Sequence, residues 1–432
     1  MSNPFVEFFR QSAPYIHSYR GKTAVVLLGG EPLSQERLYG LVSDLALLSS
    51  LGLKLVLVQG ARQQIDQALQ EAGLPDQQHQ GLRVTDAHSL ELVMAVSGAM
   101  RHQLEAAFSR GIVNSPMFNA QVRLISGNFV NAKPLGVLDG IDMQHTGLVR
   151  SVAADSIKQL LQTQGQMVLI SHLGYSVTGE IFNLRAEEVA IATAKAIAAD
   201  KLIVLGARPD PGIFSASEYS LDELQALMAQ CQPTDEGWAE LQLALEACSS
   251  GIPRCHLLNN QDGHLLLELY TRDGAGLMVM PEHYDRLRQA SLSDINGILA
   301  LLEPLEAKGI LVQRPRERLE QEIEHFTVIE RDGFIIACAA LYPFVEDAAA
   351  ELACLVVHPD YRNSGRAERL LKHIGQQLVQ QGLTNLFVLT TQTAHWFAAN
   401  GFVGVPVSSL PAKRQQLYNW QRNSKVYWRQ LV

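Results

Sequence analysis

The sequence predicts an α/β protein of two domains, an open and mostly parallel αβα sandwich followed by a smaller α+β domain. Three observations indicate this organisation. Residues 22–280 alternate short β-branched runs with longer helical stretches, and the pattern changes near Pro281. A strand, a glycine-containing turn and an amphipathic helix then follow one another within residues 351–380. The length of 432 residues also exceeds that of one ordinary domain.

Composition excludes several classes of protein. Hydrophobic residues make up 47% of the chain and charged residues 18%, as in a well-packed globular protein. A net charge of −9 argues against general nucleic-acid binding. No run reaches the ~18 apolar residues of a membrane span, and no signal peptide is expected. The five cysteines have no C-x-x-C spacing, so we expect reduced thiols, a cytoplasmic location and no metal site.

The first domain is predicted from its alternating runs. Its predicted strands are residues 23–28, 53–58, 122–125, 167–170, 202–205 and 256–258. Its predicted helices include residues 37–49, 87–110, 186–199 and 221–229. Some strands end in glycine turns, such as Gly29-Gly30 and Gly60-Ala61-Arg62. Because ligands of open α/β sheets bind at the carboxyl ends of the strands, we expect a ligand site at these turns.

The second domain is predicted from the change of pattern after Pro281. We assign residues 1–281 to the first domain, residues 282–288 to a polar linker and residues 289–432 to the second domain. The predicted helices of the second domain are residues 294–302, 316–323, 367–380 and 394–399. Its predicted strands are residues 326–330, 334–342, 352–357 and 385–389, with a hairpin at Arg331-Asp332-Gly333.

The loop after the strand at residues 352–357 is the most informative segment. It reads Arg362-x-x-Gly365-x-Ala367 and opens an amphipathic helix. Small residues let a ligand approach the backbone, and the N–H groups of the new helix point at it, a geometry that suits a pyrophosphate. A dinucleotide fold would have three glycines and an acid about 20 residues on. This loop has one glycine, framed by arginines.

The loop resembles the acetyl-CoA loop of the GCN5-related N-acetyltransferases. The order of elements and the segment 386–402, which ends in Asn-Gly-Phe, extend that resemblance. It implies that the pantetheine arm of acetyl-CoA lies between the strands at residues 352–357 and 385–389. It implies cofactor contacts at Cys354, Leu355, Val356, Val357, Arg362, Gly365, Arg366 and Ala367.

Acetyl transfer to an amine requires a base and a group that protonates the departing thiolate. Glu351, at the start of the cofactor strand, is the candidate base. Thr390 and Thr391, at the end of the later strand, are rival candidates for the proton donor, of which Thr390 is preferred. Either threonine could instead cap the following helix.

Short motifs in the first domain resemble the amino-acid kinase family. They are Gly29-Gly30, Gly60-Ala-Arg, Arg83-Val-Thr-Asp, Ser126-Gly-Asn-Phe, Ser176-Val-Thr-Gly-Glu and Phe182-Asn. The two halves together resemble the bacterial N-acetylglutamate synthase family over nearly the entire chain. This resemblance implies transfer of the acetyl group of acetyl-CoA to the α-amine of L-glutamate, the first step of arginine synthesis. It also implies a homohexamer.

The alternative function is a phosphotransferase of the acetylglutamate kinase type, alone or combined with the acetyltransferase. Phosphoryl transfer needs fixed positive charge around the migrating group. The kinase lysine that precedes the glycine pair is Leu27 here, and neither lysine nor arginine occurs between Arg208 and Arg254. A kinase aspartate is replaced by Glu187. We therefore expect a regulatory first domain.

The resemblance implies feedback inhibition by L-arginine at that domain. The positions implied for the inhibitor are Tyr15, Glu268, Tyr270, Gly274 and Gly276. Glu268 suits a guanidinium, and the two glycines would leave room for the ligand. The alternative is that Glu268 is a solvated helix residue and that the glycines end the helix. The family pattern Gly-Ile-Gly-Thr reads Gly-Ala-Gly-Leu in this chain.

The glutamate carboxylates need cationic partners, and arginine fits both oxygens of a carboxylate. The positions that the resemblance implies for the substrate are Leu311, Arg314, Arg316, Arg422 and Ser424. The family arginine before this pair is Gln313 here, so either Arg314 or Arg316 must replace it.

Overall fold

A computed structural model describes residues 3–29, 35–110, 115, 117–118, 122–206, 217–232, 234–235, 237–271, 274–281, 285–331, 333–362 and 365–431. The chain divides into two compact units, Met1–His283 and Tyr284–Val432. Some positions of the motifs above lie outside the described residues, namely Gly30, Asp332, and residues 282–284 of the predicted linker. None of the described helices has the length and apolar character needed to span a membrane.

The first unit alternates helices and strands. Its helices are α1 (Pro4–Tyr19), α2 (Gln35–Ser50), α3 (Arg62–Ala72), α4 (Ala87–Phe108), α5 (Ala154–Leu160), α6 (Ala186–Ile197), α7 (Leu221–Met228), α8 (Trp238–Ser249) and α9 (His264–Tyr270). Its strands are β1 (Thr23–Leu28), β2 (Lys54–Gln59), β3 (Gln78–His79), β4 (Leu82–Arg83), β5 (Arg123–Ser126), β6 (Val130–Pro134), β7 (Val137–Leu138), β8 (Ile141–Asp142), β9 (Gly147–Val152), β10 (Gln166–Ser171), β11 (Leu173–Tyr175), β12 (Ile181–Asn183), β13 (Lys201–Leu205), β14 (Glu218–Ser220), β15 (Cys255–Leu258) and β16 (Leu277–Met280).

The main sheet of the first unit has the strand order β14-β16-β15-β13-β1-β2-β10-β5. Its pairs are parallel except β15 with β16, so the predicted open, mostly parallel sheet is confirmed. Strand β1 shows why a central strand of this sheet needs an unbroken run of apolar residues. Val25 and Leu27 pack into one hydrophobic cluster, whereas Val26 and Leu28 pack into another. Since successive side chains of a strand face opposite sides, β1 is buried on both faces.

The second unit is an α+β domain around one mixed sheet. Its helices are α10 (Ile295–Ala307), α11 (Arg316–Gln321), α12 (Arg366–Gln380), α13 (Ala394–Ala399) and α14 (Ala412–Gln416). Its strands are β17 (Arg286–Gln289), β18 (Phe326–Arg331), β19 (Phe334–Phe344), β20 (Ala349–Val357), β21 (Asn385–Thr390), β22 (Val403–Val405) and β23 (Lys425–Gln430). The sheet order is β17-β18-β19-β20-β21-β23-β22, and β20 runs parallel to β21.

The linker prediction was wrong for residues 286–288. These residues belong to β17, which pairs antiparallel with β18. One of the charges that suggested a solvated connector is neutralised within the unit, because Arg288 donates to Asp294 at 2.7 and 2.8 Å and to Glu330 at 2.7 Å. A charged segment can therefore serve as an edge strand, where polar side chains also discourage pairing with other chains.

Candidate active site

A cavity of about 1210 Å³ opens in the second unit where β20 and β21 separate. The two strands pair from Ala349 with Asn385 to Leu352 with Val388, although β20 continues to Val357. The remaining residues of β20 and the end of β21 line the cavity. Where two parallel strands separate, their backbone N–H and C=O groups are no longer paired with each other and can bind an extended ligand. The resemblance to the acetyltransferases implied such a site between these strands.

A bulge at Cys354 reverses the alternation of side chains between the two faces of β20. Cys354 has a φ of +50°, and the register with β19 shifts at this level. Leu352, before the bulge, packs with α12, and so do Leu355 and Val357 after it. Val356 and Cys354 pack in the cluster on the other face. One inserted residue thus reverses the alternation of the strand, as bulges do.

The thiol of Cys354 is not set up as a nucleophile. Cys354 is 3% exposed, and burial raises its pKa to about 11 although nearby Arg314 lowers it. A thiol with a raised pKa carries little thiolate at neutral pH, and the thiolate is the reactive form. Cys354 therefore contributes its backbone and its volume to the cavity.

The arginine- and glycine-containing loop closes one end of the cavity. Gly365 has a φ of +71°, a conformation that favours glycine, and it immediately precedes α12. The Nε of Arg362 donates to the carbonyl of Val357 at 3.2 Å. The Nε of Arg366 donates to Asp285 at 2.5 Å, so the first residue of α12 is anchored by its side chain. Arg362, Gly365, Arg366 and Ala367 all line the cavity, while residues 363–364 are outside the described part of the chain.

Glu351 lies at the other end of the cavity, paired with a residue that sequence reasoning missed. The Nε and Nη2 of Arg414 donate to its two carboxylate oxygens at 2.6 and 3.1 Å. Both side chains are mostly buried and line the cavity. Arg414 comes from α14, a short helix that the sequence did not predict, 63 residues further along the chain.

The structure distinguishes the two threonines at the end of β21. Thr390 is 9% exposed and lines the cavity, whereas Thr391 is exposed and is not among the lining residues. The hydroxyl of Thr390 accepts from the backbone N–H of Thr393 at 3.0 Å and lies 2.8 Å from its hydroxyl. Thr390 therefore also has contacts in the turn before α13, although the N-cap position of that helix is Thr393.

The arginines expected at the substrate site separate in the same way. Arg314 and Arg422 line the cavity together with Leu311 and Ser424. Arg316 does not: its Nε donates to Glu320 at 3.0 Å on the exposed face of α11. Arg422 donates to the carbonyl of Ile310, which ties the turn before β23 to the loop before α11.

Comparison with known proteins agrees with both units. Residues 22–218 match the amino acid kinase family, and residues 322–404 match the acetyltransferase (GNAT) domain. An amino-acid acetyltransferase of Shewanella oneidensis is 48% identical over 98% of this chain and 96% of its own length. One of Pseudomonas putida is 47% identical over 98% of both chains. This chain belongs to the amino-acid acetyltransferase family.

Solved structures support the same assignment for this amino-acid acetyltransferase. The N-acetylglutamate synthase of Neisseria gonorrhoeae, complexed with coenzyme A and L-arginine, is 37% identical and matches with a TM-score of 0.89 over 99% of both chains. The same enzyme complexed with coenzyme A and N-acetyl-glutamate matches with a TM-score of 0.62. The predicted combination of a kinase-like fold and an acetyltransferase fold is therefore confirmed.

The kinase-like unit of this acetyltransferase contains a buried polar cluster around Glu268. His256 Nδ1 lies 2.6 Å from Glu268 Oε1, and the backbone N–H groups of Ala275 and Gly276 donate to Oε2 at 2.8 Å. Burial raises the pKa of Glu268, but these hydrogen bonds outweigh it and bring the pKa to about 2. A Cβ at Gly274 would lie 2.6 Å from Oε2, so this glycine makes room for the carboxylate itself.

Lys201 and His256 complete the cluster, and sequence reasoning did not single them out. Lys201 is 2% exposed; its Nζ lies 3.3 Å from His256 Nε2 and 4.4 Å from the centre of the Tyr19 ring. The Tyr19 ring is 6.0 Å from that of Tyr270. The sequence did contain a signal for this cluster, namely a lysine at the start of the apolar strand β13. Buried lysines are rare without a partner, so a lysine at this position indicates a polar partner nearby.

The position of the missing kinase lysine is part of the core. Leu27 is 3% exposed in the middle of the main sheet.

Tyr15, on α1, packs at the edge of the cluster that contains Tyr270. Among the described residues, no group of histidine, cysteine, aspartate and glutamate side chains is arranged to hold a metal ion.

Proposed function

We propose that this enzyme transfers the acetyl group of acetyl-CoA to the α-amine of L-glutamate, and that L-arginine inhibits it. The observation that carries the proposal is the cavity between β20 and β21. It is lined at one end by the loop that contains Arg362, Gly365 and Arg366, and at the other by Glu351 with Arg314, Arg414 and Arg422. A carrier with a pyrophosphate and an acidic amine substrate fit these two ends.

The cofactor end recognises acetyl-CoA through backbone groups. The N–H groups at the start of α12, reached past Gly365, suit the negative charge of a pyrophosphate. Backbone N–H groups of β20 next to the Cys354 bulge suit the pantetheine arm and the thioester carbonyl. A donor aimed at the oxygen that becomes negative contributes about 2.7–4 kcal/mol to such a reaction.

Glu351 removes the proton from the ammonium group of glutamate. The amine nitrogen then attacks the thioester carbon, the carbon–sulfur bond breaks, and the nitrogen loses its second proton. That proton passes to the departing thiolate, with Thr390 donating a hydrogen bond to the sulfur or relaying the proton, so the products are the amide and the free thiol of CoA. Arg414 holds both oxygens of the Glu351 carboxylate, which fixes its direction. A positioned base contributes roughly 10²–10⁴-fold to the rate.

Arg314 and Arg422 receive the substrate carboxylates, with Ser424 and Leu311 beside them. Arg314 takes the place left by Gln313 because it lines the cavity, whereas Arg316 is paired on the surface of α11.

L-Arginine binds at the cluster around Glu268. A carboxylate has about four acceptor positions, and the contacts from His256, Ala275 and Gly276 use three of them. The remaining position suits one guanidinium N–H. Lys201 suits the α-carboxylate of the inhibitor. Tyr15 and Tyr270 supply apolar surface nearby.

The test is release of free thiol from acetyl-CoA with L-glutamate, with and without L-arginine at millimolar concentration. We expect release that depends on glutamate and is suppressed by arginine. Release that ignores arginine would refute the inhibitor site alone. ATP consumption with N-acetylglutamate, without thiol release, would identify a kinase instead.

A cytoplasmic location and a homohexamer are further proposals, supported by the resemblance to the synthases. Sedimentation of the purified full chain tests the assembly, and a mass of one or two chains would refute the hexamer.

A further inference from the structure

The guanidinium of Arg314 has a donor left over at the cavity wall. Its backbone N–H donates to Glu306 at 3.0 Å, and its Nη1 donates to the carbonyl of Val312 at 3.3 Å. Its Nε is buried and has no hydrogen-bond partner among the described residues. Because buried polar groups are nearly always hydrogen-bonded, an unsatisfied donor on a cavity-lining guanidinium indicates a further partner.

Tyr342 lies beside Arg314 in the same wall. Its hydroxyl donates to Glu322 Oε2 at 2.6 Å, and its ring is 5.1 Å from the imidazole of His325. With its proton committed to Glu322, the phenol oxygen can act only as an acceptor towards its other neighbours. A guanidinium has donors and no acceptors, so it is the complementary neighbour.

Glu322 stays ionised and holds the phenol. Burial raises its pKa, but hydrogen bonds from Tyr342 and Arg318 outweigh burial and lower it. The Nε of Arg318 donates to the other oxygen of Glu322 at 2.8 Å. The carboxylate is therefore fixed from both sides, and the phenol that it binds has one preferred direction.

The same strand pair carries the proposed base. Tyr342 on β19 is the direct cross-strand partner of Glu351 on β20. A substrate whose amine contacts Glu351 therefore lies close to Tyr342, which is on the neighbouring strand. Sites on paired strands hold their geometry better than sites on loops.

We propose that Tyr342 and Glu322 are positioning residues that orient Arg314 towards one carboxylate of the amino-acid substrate. The phenol, fixed by Glu322, accepts from the guanidinium and sets its plane, so that the N–H groups of Arg314 on the cavity side are aimed at the substrate carboxylate. This inference rests on the proposed acetyl transfer to glutamate. It implies that the pairing of β19 with β20 sets the distance between the base Glu351 and the substrate carboxylate bound by Arg314.

The experiment is a double-mutant cycle on the full chain, with thiol release as the readout. Tyr342→Phe keeps the ring and removes the hydroxyl. We expect the KM for L-glutamate to rise about tenfold, the effect of one hydrogen bond. We expect less than about a twofold change in kcat and in the KM for acetyl-CoA. In an Arg314→Gln background, Tyr342→Phe should add nothing, because both changes remove one function.

Glu322→Gln is the second variant, since its amide still accepts from the phenol; it should raise the glutamate KM by a smaller factor than Tyr342→Phe. Arg316→Gln is the matched control on the exposed face of α11 and should leave both KM values unchanged. The inference is overturned if Tyr342→Phe leaves the glutamate KM unchanged, if it raises only the acetyl-CoA KM, or if its effect adds fully to that of Arg314→Gln. If the unmodified enzyme releases no thiol with glutamate, the proposed function fails, and this inference falls with it.

Discussion

Arg414 donates two hydrogen bonds to Glu351, one to each carboxylate oxygen. The two residues are far apart in the sequence, and the pair forms near the start of β20, at one end of the cavity. Bidentate pairs of this kind add direction as well as energy. The candidate base is therefore held in one orientation before any substrate arrives.

Replacing Glu351 by glutamine tests its role as the base. Glu351→Gln keeps the volume and can still contact Arg414, but it cannot take a proton from the substrate. We expect kcat to fall by roughly 10²–10⁴-fold, with the KM for acetyl-CoA unchanged. Steady-state thiol release measures both. An unaffected kcat would assign the base elsewhere, while Glu346→Gln, an exposed glutamate, serves as the control.

Replacing each threonine at the end of β21 separates the two candidates. Thr390→Val should lower kcat about tenfold, the value of one hydrogen bond of about 1.4 kcal/mol. Thr390→Ser should restore most of the rate because it restores the hydroxyl. Thr391→Val should have no effect, since Thr391 lies outside the cavity. A loss with Thr391→Val alone would reverse the assignment.

Removing the charge of Glu268 tests the inhibitor site. Glu268→Gln should weaken inhibition by L-arginine about 10- to 150-fold, because hydrogen bonds to charged groups contribute about 1.5–3 kcal/mol. The activity without arginine should remain. Inhibition curves for the parent enzyme, Glu268→Gln and the exposed control Glu91→Gln measure the difference. Equal inhibition of all three would place the site elsewhere.

Gly365, just before α12, and Gly375, inside that helix, allow a matched test of the conformation of the loop. Gly365 has a φ of +71°, so Gly365→Ala should cost about 1–2 kcal/mol in loop geometry. We expect the KM for acetyl-CoA to rise about five- to thirtyfold, the equivalent of that energy. Gly375 lies inside the helix, where an added Cβ meets only ordinary contact, so Gly375→Ala should leave this KM unchanged. Equal KM values for both variants would contradict the role of the Gly365 conformation.

Asp44 gives a prediction for the pH dependence of stability. Burial and then the charge of Asp262 raise its pKa to about 6. The folded state therefore binds this proton more tightly than the unfolded state, so the stability it contributes is present below the unfolded pKa and is lost as pH rises through 6. Asp44→Asn should raise the free energy of unfolding at pH 8 by about 1 kcal/mol after screening at this half-buried site.

The measurement is thermal unfolding of Asp44→Asn and the parent enzyme between pH 8 and pH 4.5. The gain in Tm should be largest at pH 8 and shrink towards pH 4.5. The exposed control Asp347→Asn should show no such trend. A gain that grows towards low pH would mean that the pKa shift has the opposite sign.

The sequence determined the elements whose residues repeat with a local period. Strand β1 was predicted with its observed bounds, and α13 likewise, because each depends on short-range apolar patterning. The turn at Gly365 was also readable, since glycine is the residue that a positive φ favours. These local rules located the strand at residues 352–357 and the loop after it, whereas the cofactor contacts and the candidate base were implied by the resemblance to the acetyltransferases.

Tertiary structure alone decided which of those residues meet. The bulge at Cys354 reverses the faces of β20, and no local pattern marks the position of an inserted residue. Arg414 reaches Glu351 from a helix too short to be recognised from its period, and Lys201 reaches Glu268 through His256. Pairings between distant segments depend on how whole elements pack, so the sequence supplied the groups, and packing selected their partners.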